Sequence, residues 1–484
     1  MDSGTHFGSA VMKIDRVFRI FMKSKVFNPK FVLILLLIPF FAGCNPPKSQ
    51  LEVFNGHFRT ANYAKSIEFA SSKISKSQKP MGEDLLWSLQ VASVERLQRD
   101  YQKSTEYFDK SEEMLKQFDL QSTVVGNVAA TIINDNAMPY RGEEYDGIMV
   151  NTYKALNFMI SKNDELARVE FNRALDRQRR AKEKFAQEIN KLKEEVAKEQ
   201  QGKNPKIQEN IDDPNVQRLI SQNYPGLYEF EAYPDFVNPF TTYIAGIYFN
   251  LVGDHSKAID LLKESYGMVQ NNTYIAEDLA ATENILSGNT KPDSTVWVIF
   301  ENGLGPIKEE FRIDLPLFLV TNQVKYAGIA LPKLSFREQA YPSLSVKAGD
   351  KEYGTQVVAN MDRVVQTEFN KDFKIILTRA IISAAAKAVA QYALEQQDSS
   401  AASFASIMMA AYSFATTAAD VRIWTVLPKD FQVARFAMPN DKHISIIPPG
   451  GIVFDIQIPE CKNAVVYIKI PFKEASPVYD VITY

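Results

Sequence analysis

The sequence contains few of the residues that most often bind metals, form disulfides or act as nucleophiles. Its 484 residues include only four histidines and two cysteines, and no histidine pair has the spacing of metal ligands. It has neither a Gly-x-Ser-x-Gly nucleophile motif nor a Gly-x4-Gly-Lys-Ser/Thr phosphate-binding loop. We therefore expect no metal, no cofactor and no catalytic residues, as in a protein that is not an enzyme.

The chain also lacks an excess of charge of one sign. The formal net charge is -3, from 55 Lys and Arg against 58 Asp and Glu, so the basic surplus of nucleic-acid-coating proteins is absent. Hydrophobic residues make up 45% and charged residues 23% of the chain, which is typical of globular proteins. We expect two or three structural units and no nucleic-acid partner.

The longest apolar run lies near the N-terminus and is followed by small residues and a cysteine. Residues 31–41 are apolar and follow a basic segment. As a helix, this run is about 16 Å long, too short for the ~30 Å core of a bilayer. The pattern predicts a signal peptide over residues 1–43. Met22 would begin a more compact signal and is an alternative start.

The segment Phe41-Ala42-Gly43-Cys44 resembles the lipobox of bacterial lipoproteins. In that family the cysteine is acylated and becomes the first mature residue, which implies Cys44 as the lipid attachment site. Asn45, where Asp would favour the inner membrane, implies sorting to the outer membrane. Acyl chains contribute about 0.8 kcal/mol per buried CH₂, so we expect a lipid-anchored protein that faces the periplasm. The alternative is a cysteine that merely follows an ordinary signal peptide.

Small and aromatic residues recur downstream with the spacing of paired helices. Residues 44–50 are predicted as a tether and residues 51–290 as a helical domain. The recurring residues resemble tetratricopeptide units, whose helix pairs stack on one another. They are Ala155, Phe158, Ala167, Phe171 and Ala174 in one unit, and Gly246, Phe249, Gly253, Ala258 and Leu262 in another. The spacing between units is irregular, so we predict an irregular helical-repeat domain; an unrelated helical bundle is the alternative.

The sequence pattern changes from helix-like to strand-like at residues 287–292, which are rich in turn-forming residues. We predict an α+β protein in which residues 291–484 form a sheet domain with an Ala-rich helical hairpin over 369–419. Asp420 and Arg422 would share one face of a strand and form an ion pair. The predicted strands are 295–300, 311–315, 325–330, 421–426, 443–447, 452–458 and 464–470. Residues 164–201 contain no Gly or Pro and are predicted as one charged helix.

Carboxylates and tyrosines stand close together in one short segment. Glu143, Glu144 and Asp146 lie near Tyr140 and Tyr145. Closeness in sequence does not place two carboxyl groups across a substrate. Hydrolysis of the cell wall therefore remains an alternative function rather than the expectation.

Several passages resemble a group of uncharacterised Gram-negative lipoproteins with tetratricopeptide-like helices. They are residues 153–157 with 169–174, residues 303–308 with 315–316, and residues 420–424 with 427–428. The resemblance implies an envelope role and brings no catalytic residues. We expect a scaffold or assembly factor for an envelope machine, such as a peptidoglycan-synthesis, secretion or motor complex. A cell-wall-binding or cell-wall-modifying enzyme is the alternative, and the partner and oligomeric state stay open.

Overall fold

A computed structural model describes residues 47–76, 82–121, 139–201, 212–227, 233, 237–289, 294–317, 325–395 and 417–484. The signal peptide, Cys44 and Asn45 lie outside the described residues, as does most of the second predicted hairpin helix. Helices account for 53% and strands for 20% of the structure. This mixture of helix and sheet agrees with the predicted α+β class.

The first half of the described chain is helical. The charged helix predicted over 164–201 is confirmed, with the same bounds. The first helix begins at Pro47, inside the predicted tether, because proline is well tolerated in the first turn, where an N–H has no partner within the helix. The helices are α1 (Pro47–Arg59), α2 (Tyr63–Lys73), α3 (Asp84–Leu97), α4 (Tyr101–Gln121), α5 (Glu144–Ile160), α6 (Asp164–Gln201), α7 (Pro214–Asn223), α8 (Pro239–Leu251), α9 (His255–Met268) and α10 (Thr273–Leu286).

Consecutive helices form hairpins in which small residues allow close packing. Helix α5 packs on α6, and α8 packs on α9. Gly253 has a φ of +83° in the turn between α8 and α9, a conformation that favours glycine. A Cβ atom at Gly246 would lie 3.1 Å from two side-chain carbons of Leu262. Phe158 is partly buried. The other predicted packing residues are buried, and they are Ala155, Ala167, Phe171, Ala174, Phe249 and Ala258.

The close approach at Gly246 predicts a measurable difference between two glycines of the same hairpin. Gly267→Ala adds a Cβ with no atom within 4 Å, so the better helix propensity of Ala should stabilise the fold by up to about 1 kcal/mol. In Gly246→Ala the contact with Leu262 opposes that gain. We expect its free energy of unfolding in urea to be at least about 1 kcal/mol lower than that of Gly267→Ala. Equal values would contradict the close helix crossing.

The strands form three sheets. The five-stranded sheet has the order β11-β10-β1-β7-β6, the four-stranded sheet the order β5-β4-β8-β9, and β2 pairs with β3. Strands β1 and β10 are parallel, and the other pairs are antiparallel. The strands are β1 (Thr295–Asn302), β2 (Ile307–Leu317), β3 (Lys325–Ser335), β4 (Ser345–Ala348), β5 (Lys351–Gly354), β6 (Gln356–Asn360), β7 (Asp430–Ala437), β8 (His443–Ile447), β9 (Phe454–Gln457), β10 (Ala464–Ile470) and β11 (Val478–Thr483).

The strand predicted over 421–426 is wrong, although this segment is buried. Two of its carbonyl groups accept hydrogen bonds from side chains rather than from a neighbouring strand. The Ile423 carbonyl accepts from the Gln90 amide at 3.3 Å, and the Thr425 carbonyl accepts from the Arg337 guanidinium. The segment is therefore held in an irregular conformation between the helices and the sheet.

Helices and sheet share one hydrophobic core. Residues 51–484 form one compact unit, and the core continues across the predicted boundary at 290/291. Phe240 of α8 stacks on Phe431 of β7 with ring centroids 3.6 Å apart. Trp424 contacts Phe108 and Tyr153 at centroid distances of 5.8 and 6.0 Å. The helical and sheet segments consequently depend on each other for burial.

One further long helix, α11 (Met361–Glu395), follows β6 and includes the first arm of the predicted hairpin. It packs against β3 and contacts α5 and α6. The helices of the described segments include none that is long and apolar enough to span a membrane. Contact with α5 is important for the site below, because it brings α11 carboxylates to the first turn of α5.

Candidate functional site

An arginine and a glutamate form a buried ion pair where helices meet the five-stranded sheet. Arg96 of α3 is 2% exposed, and its Nη1 donates to Glu301 Oε2 of β1 at 3.0 Å. Tyr153 and Tyr467 also donate to this carboxylate, at 3.0 and 2.7 Å. The Arg96 guanidinium carbon lies 4.5 and 4.8 Å from the two tyrosine ring centroids. These hydrogen bonds compensate only part of the cost of burying both charges, because Arg96 Nε and Nη2 have no hydrogen-bond partner among the described residues.

A lysine with a shifted pKa completes this arrangement, which we call the Arg96 centre (Arg96, Tyr153, Glu301, Tyr467 and Lys469). Burial, followed by the nearby charge of Arg96, lowers the pKa of Lys469 to about 7. Its Nζ donates to the Arg96 carbonyl oxygen at 3.0 Å. The lowered pKa brings loss of the ammonium proton toward neutral pH, although Asp480 Oδ2 lies 3.6 Å away and favours the charged form.

A small cavity adjoins the Arg96 centre. Arg96, Tyr153, Glu301 and Lys469 line it together with apolar residues, and its volume is about 30 Å³. One or two water molecules fit a space of this size. An amine, a guanidinium and a carboxylate beside such a cavity can bind a small polar group, and the amine can accept a proton.

Three carboxylates from distant parts of the chain form a second polar site, the acidic cluster (Glu143, Glu368 and Asp372). One oxygen from each lies within 4.8 Å of the others. Glu143 precedes α5, whereas Glu368 and Asp372 lie one turn apart on α11. The Glu368 carboxylate accepts hydrogen bonds from the backbone N–H groups of Glu144 and Tyr145, the latter at 3.2 Å. It thereby satisfies two donors at the start of α5.

A lysine contacts the acidic cluster, and an Asp–Arg ion pair lies next to that lysine. Lys308 of β2 contacts Glu143 at 2.5 Å, and Arg422 binds Asp420 through Nε and Nη2 at 2.8 and 2.6 Å. The second contact confirms the ion pair predicted between these residues. Burial lowers the pKa of Lys308, but the charges of Glu143 and Asp420 more than offset this and raise it to about 12. Lys308 is therefore a permanent cation beside the acidic cluster.

The carboxylates of the acidic cluster are not equivalent. Burial, together with the charges of Glu143 and Asp372, raises the pKa of Glu368 well above its ordinary value. Nearby, burial raises the pKa of Asp146 to about 7, although Tyr140 donates to its Oδ2 at 2.6 Å. Excess negative charge is thus unfavourable in this region, and a bound proton or a bound cation would relieve it.

Sequence reasoning missed the residues that complete both sites. It singled out Glu143, but not Glu368 or Asp372, because no local motif links positions more than 200 residues apart. Lys469 and Glu301 did carry a signal, since each is a charged residue in an otherwise apolar strand. Neither a family model nor a curated protein matches this chain.

Proposed function

We propose that the protein is an outer-membrane lipoprotein that faces the periplasm and acts as a scaffold or assembly factor for a cell-envelope machine. The lipobox-like segment supports anchoring through Cys44, and Asn45 supports sorting to the outer membrane. The machine would be a peptidoglycan-synthesis, secretion or motor complex. The resemblance to Gram-negative lipoproteins with tetratricopeptide-like helices supports the same assignment.

The observation that carries the scaffold proposal is the contact between successive helix hairpins. Phe171 of α6 packs on Tyr248 of α8 with ring centroids 5.0 Å apart, so the α5/α6 hairpin contacts the α8/α9 hairpin. Each hairpin has buried small residues where its two helices meet. Stacked hairpins of this kind form repeat domains whose surfaces bind peptides or helices. We therefore propose irregular tetratricopeptide-like repeats as the interaction surface.

The two cysteines provide a matched experiment for the anchoring proposal. In Cys44→Ala cells the protein should leave the outer-membrane fraction, lose label from radioactive palmitate and lose cross-links to envelope proteins. Cys461→Ala is the control, because Cys461 is a free thiol that lies partly buried against the core. That control should keep the membrane fraction, the label and the cross-links of the wild type. If Cys44→Ala protein still incorporates palmitate, or still fractionates with the outer membrane, the lipid anchor is rejected.

A second candidate function is binding or modification of cell-wall fragments, and the Arg96 centre favours it for a small polar end group of such a fragment, because its cavity admits nothing larger. Lys469, with its lowered pKa, lines a small polar cavity, and amines of this kind can serve as bases or nucleophiles. Purified protein carrying Cys44→Ala, incubated with soluble wall fragments and no partner, tests this candidate. Turnover or binding that disappears in Lys469→Met would favour it over a pure scaffold.

A further inference from the structure

We infer that Arg59 and Arg337 form a binding site for a phosphate group. Arg59 is the last residue of α1, and Arg337 lies two residues after β3. Neither arginine forms an ion pair within the described part of the chain. The site shares no residue with the Arg96 centre or the acidic cluster, and it does not depend on the proposed scaffold function.

Backbone carbonyl groups, rather than a carboxylate, hold the Arg337 guanidinium in place. Its Nε donates to the Gly305 carbonyl in the turn between β1 and β2, and its Nη2 donates to the Thr425 carbonyl. A guanidinium has five N–H donors, so three of them, including both on Nη1, donate to no described residue. Arg337 is only partly buried, and its Nη1 is not one of the enclosed atoms that lack a partner. A solute can therefore reach Nη1.

Thr425 links the Arg337 guanidinium to the end of α1. The Thr425 hydroxyl donates to Asn55 Oδ1 of α1 at 2.7 Å, while the Thr425 carbonyl accepts from Arg337. Asn55 and Arg59 are four residues apart on α1, so they lie on the same face of that helix. The exposed Arg59 side chain therefore extends from the helix face that contacts Thr425, on the side of Arg337.

The electrostatic surroundings of Arg337 favour an anion. Burial, followed by the charge of Arg59, lowers the pKa of Arg337 to about 9, and the charge of Asp362 opposes this only in part. Lys429 is hydrogen-bonded to Asp362 and neutralises its charge. Arg337 thus remains a cation at neutral pH, but neither it nor Arg59 has a counter-ion of its own in the described segments. A bound anion would supply the missing negative charge.

Two guanidinium groups fit a phosphate group better than they fit a carboxylate. Each guanidinium presents a planar fork of donors that matches two oxygens of either anion. A phosphate monoester has three terminal oxygens and carries about 1.5 to 2 negative charges at neutral pH, so it can engage two forks and balance two arginines. A carboxylate has two oxygens and one charge, which would leave one arginine uncompensated. The phosphate group can belong to a soluble phosphate ester or to a lipid headgroup.

Titration of purified protein carrying Cys44→Ala with inorganic phosphate, at constant ionic strength, tests the site. Phosphate should show a saturable broadening of its ³¹P NMR signal and should raise the Tm more than chloride does. Arg59→Met should weaken phosphate binding by more than about 10-fold, because it removes charge-assisted hydrogen bonds. Arg337→Lys, which keeps the charge but loses the fork, should weaken binding as well.

Arg141→Met is the matched control for Arg59→Met. Arg141 is also exposed and also has no ion pair with any described residue. This variant should bind phosphate as the parent protein does, because Arg141 lies outside the site.

Vesicles distinguish the two sources of the phosphate group. Phosphatidylcholine vesicles that contain phosphatidic acid expose a phosphate monoester, whereas vesicles of phosphatidylcholine alone do not. If the protein sediments with the first kind only, and Arg59→Met or added phosphate prevents this, a lipid headgroup occupies the site. If inorganic phosphate binds and neither kind of vesicle does, the ligand is a soluble phosphate ester. Both results support the site and differ only in the source of the phosphate.

Two other results would overturn the inference. Phosphate stabilises folded proteins in general because it is excluded from their surfaces. A rise in Tm that does not saturate, and that is equal in the parent, Arg59→Met and Arg141→Met, would identify this general effect. Saturable ³¹P broadening that Arg59→Met and Arg337→Lys both leave unchanged would place binding elsewhere. Arg59 is exposed, so Arg59→Met remains informative even if Arg337→Lys does not fold.

Discussion

Replacement of Lys154 by methionine is expected to lower the free energy of unfolding by about 3–5 kcal/mol at neutral pH. Lys154 of α5 is 2% exposed, and its Nζ contacts Glu112 at 2.6 Å, Glu170 at 3.0 Å and Asp109 at 2.8 Å. Glu112 and Glu170 have side-chain exposures of only 5% and 3%. Methionine preserves the length of the side chain but leaves the two buried carboxylates with only the half-exposed Arg173 as a shared cation, at 3.6 and 2.6 Å. Helices α4, α5 and α6 meet at this lysine.

The effect of Lys154→Met should depend on pH in a defined direction. Burial raises the pKa of Glu112, but the hydrogen bond and charge of Lys154 more than offset this and lower it to about 2. Because the folded-state pKa is lowered, this carboxylate stabilises the wild type above its unfolded pKa, and that contribution is lost as pH falls toward about 2. In the variant Glu112 loses the hydrogen bond and charge of Lys154 and therefore protonates more readily. The difference between the two proteins should therefore shrink from neutral pH to about pH 4.

Urea denaturation at the two pH values measures this effect, and Lys116→Met is the matched control. Lys116 also contacts Glu112, at 3.3 Å, but its side chain is 52% exposed. Ion pairs with a solvent-exposed cation contribute about 0–1 kcal/mol, and Glu112 keeps Lys154 in this variant, so the control should unfold nearly as the wild type does. Equal destabilisation by the two substitutions, or a loss that does not change with pH, would contradict the role assigned to the buried lysine.

Arg96→Met is expected to have a comparable effect, about 3–5 kcal/mol, because it leaves Glu301 without its cation. The side chains of Arg96 and Glu301 are 2% and 15% exposed, and the two tyrosines that also bind Glu301 carry no charge. Combining Arg96→Met with Glu301→Gln should recover part of the loss, because the uncompensated carboxylate is then absent. A double-mutant cycle in urea measures the coupling. The absence of coupling would mean that Arg96 acts only through packing.

Arg96→Met should also change the titration of Lys469. In the wild type, burial and the charge of Arg96 lower the pKa of Lys469 to about 7. The unfolded chain then binds more protons than the folded chain above that pH, so wild-type stability should rise with pH toward the ordinary lysine range of about 10. Removal of Arg96 should raise the pKa of Lys469 and reduce this gain. NMR titration of the lysine amine checks the direction.

Arg99→Met provides the control for the arginine experiment. Arg99 contacts Asp480 at 3.1 Å, but its side chain is 61% exposed. Asp480 is only 3% exposed, but it keeps Lys469 at 3.6 Å when Arg99 is removed, so we expect a loss below about 1 kcal/mol. If Arg99→Met destabilises the protein as much as Arg96→Met does, burial of the arginine does not explain the cost of removing Arg96.

Local patterns were sufficient for several elements of the fold. Helix α6 has the predicted bounds 164–201, because a segment without Gly or Pro has no internal helix breaker. Strand β10 spans the predicted residues 464–470, since a run of β-branched and aromatic residues favours a strand buried on both faces. The turn at Gly253 also followed from sequence, since glycine readily adopts its positive φ. Each of these features depends on neighbours within the same segment.

Strand β7 shows why other elements were missed. Asp430 and Arg435 interrupt its apolar pattern, so the sequence gives a weak strand signal. In the fold, Asp430 accepts from Asn302 at 3.1 Å, and Arg435 donates to Asp278 at 2.8 Å. Partners from distant segments therefore make the burial of these polar side chains possible.

The sequence by itself determined that the composition is that of a globular protein, that the N-terminus has the pattern of a signal peptide, and where the helices and strands with strong local patterns lie. Only the tertiary structure decided which charges are buried together. Glu143 joins Glu368 and Asp372 because α11 contacts α5, and Arg96 meets Glu301 because the end of α3 lies beside β1 and β10. Electrostatic interactions depend on distance in space and on burial, and neither quantity is encoded by the spacing of residues along one segment.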